Sequence, residues 1–129
     1  MILLNKKSTL LNKIRETLES FDIPVYYGKS LHDENLDWNY FVFRRKGLKK
    51  SGTSKKDFNY NYFIHIVMED FIEDGFEQEV IKAITDNTTL KLVDTEHPYD
   101  YLMKNNTDQV VEVLTLEFTK FKKGCAINE

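Results

Sequence analysis

Apolar residues alternate most regularly between positions 58 and 68. Phe58, Tyr60, Tyr62, Ile64, Ile66 and Met68 occupy every even position of that segment. A period of two predicts a long strand, since successive side chains of an extended backbone point to opposite faces. WNYFVFRR (38–45) is aromatic and β-branched and predicts a strand just upstream. The two strands would form a long β-hairpin. Gly47 and Gly52, with Ser51, Thr53 and Ser54, would mark a basic, mobile tip. Two other segments carry a helical period. In 8–21, Leu10, Ile14, Leu18 and Phe21 share a stripe, Ser8 is a suitable N-cap, and Asp22-Ile23-Pro24 ends the helix. In 75–86, Phe76, Val80, Ile81 and Ile84 share a face behind Asp74 as N-cap. PVYY (24–27) predicts a short strand, KSLHDENLD (29–37) a loop, LKLVDT (90–95) a strand, and EHPYDY a turn through Pro98. The final strand spans 108–121. It is apolar on both faces at its start, which predicts a central place in the sheet.

The resulting order is α-β-β-β-α-β-β. Strands and helices do not alternate strictly, so a doubly wound parallel sheet is not expected. The expected fold is α+β: a mainly antiparallel sheet of about five strands with two helices packed on one face. The 129 residues predict a single domain, 1–129, with a structured core at 8–123 and a frayed tail at 124–129.

Composition narrows the function. A hydrophobic share of 41% with 13% aromatics is that of a globular chain. Met1-Ile2-Leu3-Leu4 is too short for a signal-peptide core, and no run approaches 18 apolar residues, so a soluble, cytoplasmically made protein without membrane association is expected. The lone Cys125 has no internal disulfide partner.

Catalytic signatures are sparse. The sequence holds no HExxH, P-loop, GxSxG or paired cysteines. His65, between Phe63 and Val67 on a strand, is expected to be a half-buried structural histidine. His97 reads as a turn residue and His32 as a loop residue. The acidic run Glu69-Asp70-Phe71-Ile72-Glu73-Asp74 precedes a helix, where carboxylates complement the helix dipole. It lacks the EF-hand pattern. Asp94 and Glu96 would suit a metal-dependent nuclease only with a nearby lysine, and none follows at short spacing. No catalytic residue, metal or cofactor is therefore expected.

The charge distribution is the strongest functional signal. RRKGLKKSGTSKK (44–56) carries Arg44, Arg45, Lys46, Lys49, Lys50, Lys55 and Lys56 and no acid, in a chain of net charge −3. The remainder is thus strongly acidic. Three uses compete with a merely solvated tip that resists edge aggregation. One is docking onto an acidic neighbour, a second copy above all. Another is phosphate neutralisation in a nucleic-acid-binding module, although no stacking aromatic lies within the run. The third is an anionic membrane surface.

The second half of the chain has a recognisable layout. VMEDFIEDGFEQEVIKAITDNTTLKLVD (67–94) is followed by YDYLMKNNTDQVVEVLTLEFTKFKK (99–123), with a tyrosine-rich turn, a K-x-N-T step at Lys104–Thr107 and a Lys-rich end. With the leading helix and the W-x-Y-F-V-F strand, this layout resembles the tail terminator (tail completion, tail-to-head joining) proteins of siphophages infecting Gram-positive bacteria. The resemblance covers most of 8–123, and other small head–tail connector proteins share the size and composition. It implies a non-enzymatic bacteriophage structural protein of the virion, assembled in the host cytoplasm. Such proteins form an oligomeric ring, commonly of six subunits. The ring caps the tail tube, stops its polymerisation and offers a surface to the head. Expected partners are other copies, the tail tube protein and a head connector protein, with DNA only as cargo through the lumen. The basic hairpin would be the partner-binding element.

Overall fold

A computed structural model describes residues 8–33, 36–50 and 57–122. The chain forms α1 (Thr9–Glu19), β1 (Val25–Tyr27), β2 (Tyr40–Lys50), β3 (Phe58–Glu69), α2 (Phe76–Asn87), β4 (Lys91–Leu92), β5 (Tyr99–Met103) and β6 (Val110–Lys122). Six strands make one sheet in the order β1-β2-β3-β6-β4, and β5 also lies along β6. The α+β class holds, and β6 is central as its two apolar faces required. The sheet is mixed, because β1 runs parallel to β2 while every other pairing is antiparallel. The parallel step is made by a connection running from Gly28 to Asn39, with no helix among its described residues.

Several expectations are corrected. The sixth strand, β5, lies where a turn was expected. Its YDYLM backbone is held by pairing with Val110–Leu114, and Pro98 precedes the strand rather than breaking it. The strand expected at 90–95 shortens to two paired residues, Lys91 and Leu92. Asp74 does not cap α2: the N-cap is Gly75, at φ 93° and with no side-chain cap bond. A left-handed φ suits glycine, and the helix dipole is met instead by Glu77 and Glu79 in the first turn. Ser8 caps α1 as expected, its Oγ accepting from Leu11 N at 3.1 Å. β2 continues to Lys50, so Gly47 is a strand residue next to a bulge and not part of a tip.

Both helices cover one face of the sheet. Ile14 and Leu18 of α1 and Val80 and Ile84 of α2 are fully buried against Phe41, Phe43, Ile64, Ile66, Leu116 and Phe118. Phe21 wedges between the layers, edge-on to Phe41 and to Phe76. A smaller cluster on the opposite face joins Tyr40, Val42, Val67 and Val111 beneath Tyr26 and Trp38. Beyond it that face carries Arg44, Phe63, His65, Thr115 and Glu117.

Phe118 of β6 lies at 0% exposure in the core beneath the helices, whereas Leu48 on the outer part of β2 is 60% exposed. Phe118→Ala should therefore cost about 3–5 kcal/mol, and Leu48→Ala within about 0.5 kcal/mol. Urea unfolding of both variants checks this; equal losses would contradict the described core.

Candidate assembly surface on the basic hairpin

The five described basic residues of the run lie along a paired strand. Arg44 to Lys50 belong to β2, which is laddered to β3 from Tyr40↔Val67 through Lys50↔Phe58. Lys55 and Lys56 lie outside the described residues. Pairing splits the described five between the two faces and gives them different surroundings.

Arg44 is half-buried on the face away from the helices. Its guanidinium lies 4.8 Å from the Phe63 ring centroid, and its Nε donates to His65 Nε2 at 3.3 Å. His65 must then carry its proton on Nδ1, which donates to Thr115 Oγ1 at 2.9 Å. His65 is thus the half-buried structural histidine expected from its strand position. Burial, and secondarily the Arg44 charge, hold its pKa below the ordinary 6.5. Lys46 is the extra residue of a bulge between Arg45 and Gly47. Its ammonium lies 3.0 Å from Glu117 Oε2 and 5.4 Å from the Phe63 ring centroid.

Arg45 faces the helix side, opposite Tyr62. Burial raises the pKa of the Tyr62 phenol above 10.0, and a hydrogen bond and charge from Arg45 partly offset that rise. Both line a groove of about 840 Å³ between the start of α1, the end of α2 and the hairpin, together with Leu10, Lys13 and Leu48. Lys49 and Lys50 are exposed at the end of the described ladder.

Two carboxylates of the acidic run are tied to local structure. Glu69 accepts from Lys104 Nζ at 2.9 Å, and Asp70 from Gln109 Nε2. Lys104 is the lysine that short sequence spacing did not supply, and it lies against the first acidic run rather than against Asp94 and Glu96. Among the described residues, no group of three His, Cys, Asp or Glu side chains could hold a metal ion. His97 Nδ1 accepts from Glu117 N and its Nε2 faces Val93 O. His32 stacks on Tyr40 at 4.4 Å and bonds to Tyr26 Oη and Asp37 O. Among the described residues, no helix is long and apolar enough to cross a membrane.

Two features escaped the sequence pattern. Phe63 and Glu117 anchor Arg44 and Lys46 from other strands, so no spacing within 44–56 could show them. The exposed strand β5 was hidden by turn residues on both sides, although its Tyr-x-Tyr-Leu-Met composition is that of a strand. No family model matches the chain, and no curated protein matches it.

The pKa of His65 lies below 6.5 in the folded state, so the unfolded chain takes up its proton first as pH falls. Folding stability should decline as pH drops through 6.5 toward the folded-state value, and should be fully restored above 6.5. His65→Gln should remove part of that slope in urea unfolding measured between pH 7.5 and about 5. An unchanged slope would show that His65 titrates alike in both states.

Proposed function

We propose that this chain is a non-enzymatic structural protein of a bacteriophage tail, of the tail-terminator kind. Copies assemble into a ring that caps the tail tube, ends its polymerisation and presents a surface for joining the head. The observation that carries the reading is the basic arm. β2 and β3 pair along it to Lys50↔Phe58, Lys49 and Lys50 are exposed at the end of that described ladder, and the rest of the chain is strongly acidic. A paired two-strand ladder aims the charges without losing backbone freedom on docking. Opposite charges on one molecule favour association between copies and fix their register. The α+β fold agrees with the one the resemblance implies.

One observation favours a second reading, a nucleic-acid-binding module. Strand pairing puts Phe63 beneath Arg44 and Lys46, supplying an aromatic that the run 44–56 lacks. Those two cations are already engaged by His65 and Glu117, which leaves the assembly reading ahead.

Light scattering and negative-stain imaging of the full chain, alone and with isolated tail tubes, test the proposal. The chain should form closed rings of one subunit number. Lys49→Glu, Lys50→Glu, Lys55→Glu and Lys56→Glu combined should keep the melting temperature within a few degrees and lose the rings. A variant that assembles like the parent sinks the role of the arm. Single-stranded DNA binding that weakens steeply with salt, without rings, would establish the second reading instead.

A further inference from the structure

The sheet ends in two open edges of opposite character. On one side, β1 covers only Phe41–Phe43 of β2. Among the described residues, no backbone hydrogen bond reaches the outer edge of β2 between Arg44 and Lys50. On the other side, β5 pairs with β6 and, among the described residues, with nothing beyond it. β5 is an unusually unprotected edge. Tyr99, Tyr101, Leu102 and Met103 are 43, 62, 44 and 52% exposed, and Asp100 is its only charge. Edge strands left in this state pair with other chains unless something covers them. The surroundings of β5 are acidic: Glu77, Glu112 and Asp74 all act on the Tyr99 phenol, after its partial burial, to raise its pKa.

Building on the ring reading above, we propose that β5 of one copy pairs with the outer edge of β2 in the next, antiparallel and head to tail, with Tyr101 opposite Leu48. Strand directions allow it. β2 and β6 run one way, β3 and β5 the other. A second sheet placed alongside, with its helices on the same face, therefore presents β2 antiparallel to β5.

The backbone groups also match. Lys104 N–H donates to Gln109 O, and Thr115 N–H to Pro98 O. Even positions of β5 thus turn toward β6, and Tyr99, Tyr101 and Met103 turn their N–H and C=O outward. In β2, Phe41 and Phe43 face β1 through Phe41 N–H to Pro24 O and Gly28 N–H to Phe43 O. Carried past the bulge through Gly47↔Asn61 and Lys49↔Asn59, the same alternation turns Leu48 and Lys50 outward. On both edges the outward residues carry their side chains on the helix face, as Tyr101↔Glu112 and Leu48↔Tyr60 show.

This register puts the exposed Leu48 on Tyr101 and sets Asp100 against Lys49, a cross-strand pair of opposite charge. β2 then points past Tyr99 toward the neighbour's Asp94 and Glu96. The contact is heterologous, using different surfaces on the two copies, so it builds rings or filaments rather than closed pairs. It also staggers neighbours. Within one sheet Tyr101 is level with Glu112 of β6, and Leu48, through Tyr60, with Lys120. Successive copies are therefore offset by the Glu112–Lys120 distance, about 26 Å along the strands.

Cross-linking decides the matter. Full-length Leu48→Cys and Tyr101→Cys chains, each also Cys125→Ser, would be mixed and oxidised. The mixture should give a disulfide-linked dimer well above the level of either chain alone, because facing residues on paired strands lie within disulfide reach. Asp100→Lys and Lys49→Asp should each lower the cross-linking yield several-fold, and the two combined should restore it. Closed rings by light scattering without the mixed dimer would overturn the pairing and leave the ring reading standing. The mixed dimer with open filaments would support the pairing and overturn the ring. A strict monomer with no cross-link, with or without tail tubes, would overturn both.

Discussion

The long antiparallel ladder between β3 and β6 underlies everything else in this molecule. It runs unbroken from Phe58↔Lys122 to Glu69↔Val111. Because the side-chain period is two, that register commits Tyr62, Ile64, Ile66, Leu114, Leu116 and Phe118 to the helix face together. A slip of one residue between the strands would turn one strand's three outward and strip half of this core from beneath α1 and α2. The ladder also carries the basic arm, since β2 inherits its direction and face assignment from β3.

The opposite face shows what the ladder does with charge. Phe63, His65, Thr115 and Glu117 alternate with core residues on β3 and β6 and so meet on the open side. Arg44 and Lys46 come to rest on them from β2. Lys46 is the unpaired extra residue of the bulge, and its ammonium lies on Glu117. Two cations of the run thereby stabilise the hairpin base, and Lys49 and Lys50 stay in water.

What was legible in the sequence follows from how local each signal is. The alternation of Phe58–Met68, the stripe of Leu10, Ile14 and Leu18, and the Ser8 cap depend on neighbours in the chain, and each appears as expected. β5 and the truncation of β4 depend on β6, which lies farther along the chain. The parallel placement of β1 depends on how the connection ending at Asn39 closes, and short strands carry no mark of direction. Asp74 has the right chemistry for a cap, but Gly75 takes a positive φ that glycine adopts without strain, and the helix begins one residue later.

The site was legible in the same partial way. A run of seven cations is visible in any sequence, but its division is not, because Phe63, His65 and Glu117 lie 7 or more residues beyond it in the chain. Charge in a linear sequence reports a total; pairing decides which members of that total remain available. Here the available ones, Lys49 and Lys50, lie on an open edge of the sheet, and the aromatic edge, whose only charge is Asp100, lies on the other side among carboxylates. Each edge alone has an ordinary protective or hazardous reading. Their complementary backbone polarity and opposite charge in one molecule are what the proposed pairing of copies rests on.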